Sequence, residues 1–157
     1  MKKLLLSLIL LLSINTISKA QAWDGKGDMK VGMGYMFYDY HLSNSIENFG
    51  SGISTYIDYG ITEDISIGMG VNYNIQPTNF YFNLRSDYHF QNLLELNSNF
   101  DIYAGADFGL NTYEQLWDFE QRWSLGLHIG TRFMFTDVIG LYLEIGNRGN
   151  VGLMYNF

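Results

Sequence analysis

The 157-residue sequence has no cysteine and a single proline, Pro77. The lack of cysteine excludes disulfides, thiolate metal sites, a cysteine nucleophile and the lipid-bearing cysteine of bacterial lipoproteins. Lysine is also scarce, since Lys26 and Lys30 are the only two after residue 19. Glycine and aromatic residues are abundant instead, with 17 glycines and 17% aromatics. This composition favours β structure with closely packed interiors.

The N-terminal residues have the pattern of a secretory signal peptide. Lys2 and Lys3 precede an apolar run from Leu4 to Leu12, and Ala20-Gln21-Ala22 supplies the small-x-small pattern that a signal peptidase reads. The run is well short of the roughly 20 residues of a spanning helix, which disfavours an uncleaved anchor. We therefore predict a signal peptide over residues 1–22, cut before Trp23, and one domain over residues 23–157.

Removal of residues 1–22 would make the chain strongly acidic. The remaining 135 residues (157 − 22) keep six Lys+Arg (9 − 3) against 16 Asp+Glu, for a net charge of −10. Such a chain is repelled by phosphate, so nucleic acid is not an expected partner.

Apolar and polar residues alternate along most of the chain. In the stretch ISIGMGVNYNI the odd positions 65 to 75 are apolar or aromatic, and the even positions are Ser, Gly or Asn. This period of two predicts a strand whose faces meet different environments. Eight such segments, separated by turn residues, are predicted at 29–39, 50–59, 65–75, 80–90, 100–111, 122–135, 139–147 and 150–157.

Alternating strands suit either a soluble barrel or sandwich with an apolar core, or a membrane barrel with an apolar outside. The apolar phase of the eight segments holds no charged residue, while the other phase is mostly Gly, Ser, Asn and Tyr with few lysines. That second face resembles a crowded interior more than a water-facing surface. A lumen of eight strands is just wide enough for side chains to fill it.

The distribution of aromatics and the segment lengths favour the membrane barrel. Aromatics lie at segment ends, as Phe80 and Phe90 or Trp123 and Phe135 do, with aliphatic residues between them. Such spacing is typical of two interfacial girdles. About ten residues at ~3.3 Å each, tilted near 45°, rise roughly 24 Å, which matches the apolar band of outer-membrane barrels. A bilayer also requires closure of the sheet.

The C-terminal stretch VGLMYNF alternates apolar residues and finishes with phenylalanine. At this point the chain resembles the small eight-stranded outer-membrane β-barrel proteins, typified by OmpX and the membrane domain of OmpA. The resemblance implies an all-β, closed, antiparallel, up-and-down transmembrane barrel in the outer membrane of a Gram-negative cell. It also implies that the C-terminal strand is read by the barrel-assembly machinery, through Val151, Leu153, Tyr155 and Phe157.

The resemblance further implies that both termini are periplasmic, so that segments 41–49, 76–79, 112–121 and 147–150 face outward. These loops are the expected recognition surface, and the bilayer and surface lipopolysaccharide are the expected partners. The periplasmic turn 91–99 carries Leu93, Leu94 and Leu96. We expect it to fold back against the barrel rather than to dock a partner.

The inward phase carries charges that nearly cancel, with five cations against five anions. Because an unpaired buried charge is far costlier than a paired one, these groups are expected to pair into a plug rather than an ion path. Arg85, Asp101, Arg132 and Glu144 lie on four consecutive segments and are the expected centre. The predicted polar network of the lumen is Lys30, Asp58, Arg85, Asp87, Asp101, Asp107, Arg132 and Glu144, with Arg122 and Arg148 as further inward cations.

Catalysis is the weaker interpretation. Asp39, His41 and Ser43 stand where the first segment meets its loop, and outer-membrane lipid A palmitoyltransferases, which this architecture resembles, keep His, Asp and Ser on the outer rim. An acyltransferase or lipase using His41 therefore remains an alternative, and a narrow uptake barrel is another. Spacing of one residue constrains no geometry, and His41, His89 and His128 form no ligand-spaced pair. We predict a non-enzymatic protein with no metal and no cofactor.

Overall fold

The computed structural model describes residues 20–39, 51–75, 78–113 and 123–157. Eight antiparallel strands form a closed barrel in which each strand pairs with its neighbours in chain order. The eight strands are β1 (Met29–Asp39), β2 (Gly52–Gly60), β3 (Ile65–Asn74), β4 (Asn79–His89), β5 (Phe100–Tyr113), β6 (Trp123–Met134), β7 (Ile139–Gly146) and β8 (Arg148–Asn156).

The closed antiparallel barrel confirms the fold class predicted from the alternation. β1 and β8 complete the ring, with Val31 opposite Tyr155 and Gly34 opposite Gly152, and a bulge lies between Met36 and Tyr38 of β1. We call the end at which β1 begins and β8 ends the base, and the opposite end the rim. In the described part of the chain no α-helix is long or apolar enough to cross a bilayer.

The turn between β7 and β8 differs from its prediction. It is formed by Gly146 and Asn147, and β8 already begins at Arg148, so the expected loop at 147–150 is mostly strand. Gly146 has a φ of +155°, and a Cβ there would run into the backbone of Leu127 and His128. The Asn147 side chain accepts a hydrogen bond from the Leu127 N–H at 2.7 Å. The tightness of this turn comes from that close approach to β6.

The two faces of the barrel have opposite character. Outward side chains are apolar and exposed, as at Leu84 and Leu125, each 65% exposed. Most inward side chains are polar, charged or tyrosine, as the buried Arg132 and Tyr103 are, and the buried methionines Met36, Met134 and Met154 are the apolar exceptions. An apolar outside around a polar inside is the arrangement of transmembrane β-barrels, because lipid covers the outside.

Aromatic pairs stand at both ends of the apolar band. Near the rim, Phe108 and Trp123 stack with ring centroids 4.9 Å apart. At the base, Tyr155 packs edge-on against Phe157 at 4.8 Å, and similar pairs lie at the base ends of β4 and β6. Two rings of aromatics around an aliphatic middle match the girdles of membrane barrels.

The base turn after β4 does not fold back as expected. The Leu94 N–H donates to the Phe90 carbonyl at 2.9 Å, which makes one helical turn, and Glu95 follows with a φ of +51°. Gln91 is buried, whereas Leu93 is 65% and Leu94 52% exposed. The expectation that these leucines pack against the barrel was wrong, because the helical turn directs them outward. Leu96 is half-buried.

The segment before β1 closes the base. The Ala22 N–H donates to the Ser98 carbonyl at 2.7 Å, and the Gly27 N–H donates to the Gly60 carbonyl at 2.9 Å. The Trp23 ring lies flat on the His89 ring with centroids 3.5 Å apart. The Trp23 indole N–H donates to the Glu63 carbonyl at 2.6 Å. Of the predicted signal peptide, residues 1–22, only 20–22 are described, so that prediction stays a prediction.

Candidate functional site

The candidate site is the polar lumen. The structure places the predicted network on inward-facing positions of six strands, and most of these side chains are buried. The alternation puts them there because residues two apart on a strand share a face. The eight predicted members are Lys30 on β1, Asp58 on β2, Arg85 and Asp87 on β4, Asp101 and Asp107 on β5, Arg132 on β6 and Glu144 on β7.

Arg85 is at the centre of the lumen. Its Nη2 lies 2.8 Å from Asp87 Oδ2 and 2.5 Å from Glu144 Oε1, and its Nε lies 3.4 Å from Asp58 Oδ1. These three carboxylates come from three different strands. One guanidinium therefore joins β2, β4 and β7 across the interior, which its fork of five N–H donors permits.

Arg132 extends the same cluster toward the base. It donates to Asp58 Oδ2, and its Nη2 lies 3.9 Å from Asp87 Oδ2. The Tyr103 ring covers its guanidinium at 4.4 Å, and the Tyr103 hydroxyl donates to Glu144 at 2.9 Å. We call Asp58, Arg85, Asp87, Arg132 and Glu144 the central belt.

Tyrosine rings fill the space around the belt. The Tyr56 ring lies 4.7 Å from the Arg85 guanidinium and packs edge-on against Tyr142 at 5.0 Å. The Tyr142 hydroxyl lies 3.1 Å from the Ser54 hydroxyl. Aromatic faces attract guanidinium groups and occupy large volumes, so the rings both stabilise the charges and exclude water.

Asp101 does not lie in the centre as expected. It stands opposite Arg132 in the β5–β6 register, but its Oδ2 lies 2.7 Å from His89 Nδ1. His89 Nε2 in turn lies 3.0 Å from the Ser66 hydroxyl. The side chain of Arg132 reaches toward Asp58 instead, so adjacency in register did not decide the partner.

Lys30 also lies apart from the belt. Its Nζ is 2.8 Å from Asp28 Oδ2 and buried at the base. The Asp28 carboxylate accepts from the Asp24 N–H as well, at 3.1 Å. Asp28 was missed because it precedes the first strand and shows no alternation signal.

A third group lies toward the rim. Arg148 Nε is 3.0 Å from Asp39 Oδ2, and Arg148 Nη1 is 3.0 Å from Asp107 Oδ1. The Tyr81 hydroxyl donates to Asp107 at 2.6 Å, and the Tyr81 ring lies 3.6 Å from the Arg148 guanidinium. His128 Nε2 lies 2.7 Å from Asp87 Oδ1 and connects this group to the belt.

Arg148 was predicted to face inward, but no partner was assigned to it. His89 and His128 also stand in the polar phase, although neither was assigned a role. The inward tyrosines were not singled out, although Tyr56, Tyr81, Tyr103 and Tyr142 all stand in the polar phase. Three residues named from the sequence lie outside the described part of the chain, namely Arg122, His41 and Ser43.

The lumen keeps little open space near its rim group. A cavity of about 30 Å³ lies among Arg85, His128, Glu144, Arg148 and Asn150. That volume has room for roughly one or two water molecules. Within the described ranges, no group of three or more His, Asp or Glu side chains is arranged to hold a metal ion.

Three solved structures share the architecture. A de novo designed transmembrane β-barrel matches with a TM-score of 0.67 and 12% identity, over 86% of this chain and 99% of that chain. The N-terminal barrel domain of Pseudomonas aeruginosa OprF gives 0.56 and 16%, over 85% and 100%. Outer Membrane Protein G from the same organism gives 0.51 and 11%, over 84% and 98%. At these identities the likeness shows the fold, which is that of small outer-membrane barrels, as the resemblance predicted.

No curated protein matches the chain. One family model matches residues 13–148, which is most of the sequence and includes β1 to β7. The chain therefore belongs to the family of unknown function DUF6646.

Proposed function

We propose that this protein is an integral outer-membrane barrel with a filled lumen and a non-enzymatic role, either structural or in surface interactions. The apolar outward face and the aromatic rings at both ends support insertion in a bilayer. The N-terminal export pattern supports delivery beyond the inner membrane of a Gram-negative cell.

The central belt carries the proposal. Arg85 and Arg132 engage carboxylates from β2, β4 and β7, so the charges cross the lumen rather than line it. Tyr56 and Tyr103 pack against the same guanidiniums. An ion moving through would have to separate these buried pairs, and separation leaves uncompensated charges at a cost of several kcal/mol.

Planar bilayer recording tests the filled lumen. The purified protein should give no unitary current, while Arg85→Ser combined with Glu144→Ser should give measurable openings, because it removes two belt members and their volume. A matched control is the outward pair Leu84→Ser with Leu143→Ser, which should stay silent. Regular unitary currents from the unaltered protein would contradict the proposal.

Fractionation tests the location. The protein should sediment with outer membranes, require detergent for extraction, and change its gel mobility on boiling, as a folded barrel does. Recovery in a detergent-free periplasmic extract would mean that water, not lipid, covers the apolar face. The membrane assignment would then fail.

The expected partners follow from this location. Lipid acyl chains would cover the outward side chains, and lipopolysaccharide would meet the rim. Val151, Leu153 and Tyr155 project from β8 on the outward side, followed by Phe157, and all four are exposed. We propose that this strand is the element read by the barrel-assembly machinery.

The alternative enzymatic role rests on His41, which lies outside the described residues. The carboxylate of its expected neighbour Asp39 faces Arg148 and also accepts from the Asn74 amide at 3.4 Å. Mass spectrometry of envelope lipids from a deletion strain separates the two roles. An unchanged lipid profile supports the non-enzymatic role, and loss of one acylated species, restored by the unaltered gene but not by His41→Ala, would contradict it.

A further inference from the structure

The export signal contains two overlapping triplets that a signal peptidase can read. Ser18-Lys19-Ala20 and Ala20-Gln21-Ala22 both place small residues two apart. The first directs cleavage between Ala20 and Gln21, and the second directs it between Ala22 and Trp23. Both triplets satisfy the small-x-small pattern, and the cut before Trp23 predicted from the sequence uses the second.

In the structure Ala22 packs as part of the barrel. Its side chain is fully buried in a cluster with Met134, Met154 and Tyr142, which closes the base. Its N–H donates to the Ser98 carbonyl at 2.7 Å, which ties the segment to the turn before β5. Gln21 adds a further contact, because its side-chain amide donates to the Trp23 carbonyl at 3.0 Å.

Cleavage before Trp23 would remove these contacts and create a charged group in their place. Trp23 is only 2% exposed, with its ring on His89 and its indole N–H on the Glu63 carbonyl. The new ammonium would lie beside the apolar cluster that Ala22 fills, where a charged group loses part of its hydration. Cleavage before Gln21 instead removes Ala20, which is only partly buried against that cluster, keeps the fully buried Ala22, and puts the ammonium on the half-buried Gln21.

We infer that the exported chain is processed between Ala20 and Gln21, so that Gln21 and Ala22 stay in the mature protein as the seal of the barrel base. In this step water adds across the Ala20–Gln21 peptide bond. The released peptide ends in the Ala20 carboxylate, and the mature chain begins with the Gln21 ammonium. The inference goes beyond the proposed function, since a membrane barrel could be processed at either bond.

Intact-mass spectrometry of the protein extracted from membranes decides the site. We expect a mass for residues 21–157, with or without the loss of ammonia that accompanies cyclisation of an N-terminal glutamine. A mass for residues 23–157 or for the full chain would overturn the inference. Neither result would bear on the proposed outer-membrane location or on the proposal that the lumen is filled.

A matched pair of variants tests which triplet is read. Ser18→Arg removes a small residue from the first triplet only, and Ala22→Arg removes one from the second only. Because processing precedes folding, it can be followed in pulse-labelled cells whether or not the barrel forms. We expect Ser18→Arg to slow processing or move it to the second bond, and Ala22→Arg to leave its rate and position unchanged. The reverse pattern would overturn the inference.

Refolding tests the structural reason. Two chains made without a signal, residues 21–157 and residues 23–157, can be folded into the same detergent micelles. The longer chain should resist urea to a higher midpoint and protect the amides of residues 24–28 from hydrogen exchange. Equal midpoints and equal protection would show that Gln21 and Ala22 do not seal the base.

Discussion

Arg85 on β4 and Glu144 on β7 meet across the lumen, with 2.5 Å between Nη2 and Oε1, although 59 residues separate them in sequence. The Arg85 guanidinium also contacts Asp58 and Asp87, so three carboxylates surround it. Removing the cation therefore takes one positive partner away from three buried carboxylates at once.

Arg85→Met should reduce the free energy of unfolding by about 3–5 kcal/mol, as expected when one partner of a buried ion pair is lost. Urea unfolding in detergent micelles, followed by gel mobility, measures the change. Lys26→Met removes a positive charge from an exposed position and should change stability by less than about 0.5 kcal/mol. Equal effects of the two variants would mean that the belt does not stabilise the barrel.

Met69→Arg tests which medium covers the outside. Met69 lies in the middle of β3 and is 58% exposed. In lipid an arginine there should cost about 2–4 kcal/mol, since a charge near the bilayer midplane loses its hydration. Leu93→Arg, in the exposed base turn, should cost little. Unfolding titrations in lipid vesicles make the comparison, and a neutral Met69→Arg would contradict a lipid-covered face.

Gly130→Ala tests the packing of the lumen. A Cβ at Gly130 would overlap the Tyr103 ring, including Cζ and the hydroxyl. Overpacking of this kind costs about 1–3 kcal/mol, because Tyr103 is held by Glu144 and Arg132. At Gly70 the nearest atom is the Asn83 amide oxygen at 2.8 Å, which lines the rim cavity and can turn away. Gly70→Ala should therefore change thermal stability less, and an equal or larger loss would contradict a tight belt.

Phe157→Ser tests the C-terminal strand as an assembly element. The variant should refold in detergent almost as the unaltered protein does, because Phe157 is 71% exposed. In cells its level in the outer membrane should fall several-fold. Phe135→Ser, another exposed aromatic at the base, is the matched control and should assemble normally. Quantitative immunoblots of membrane fractions report both, and equal levels would remove the proposed role.

The strands and their faces were predictable because alternation is local. Ile65–Asn74 shows which side chains share a face before any partner strand is known, since successive residues point to opposite sides. The base turn was less predictable. Leu93 and Leu94 are exposed because the chain makes one helical turn after Phe90. The three leucines among residues 91–99 did not show which way this turn would point their side chains.

The ion-pair partners within the lumen could not be predicted from local sequence patterns. Asp101 and Arg132 are neighbours in register, yet Asp101 turns to His89 and Arg132 reaches Asp58, 74 residues away. Which long side chains meet in a narrow interior depends on the position of each residue along the barrel axis and on the direction in which its side chain points. Both depend on how all eight strands tilt and close into the ring.

The amino-acid sequence by itself determined the number of strands, the phase of each and the polarity of the two faces, because these follow from a two-residue period. Only the tertiary structure decided that Arg85 joins three strands and that Ala22 and Trp23 seal the base. Closure brings β1 against β8 and lets side chains of β4 and β7 meet across the lumen, so these contacts exist only once the ring is complete.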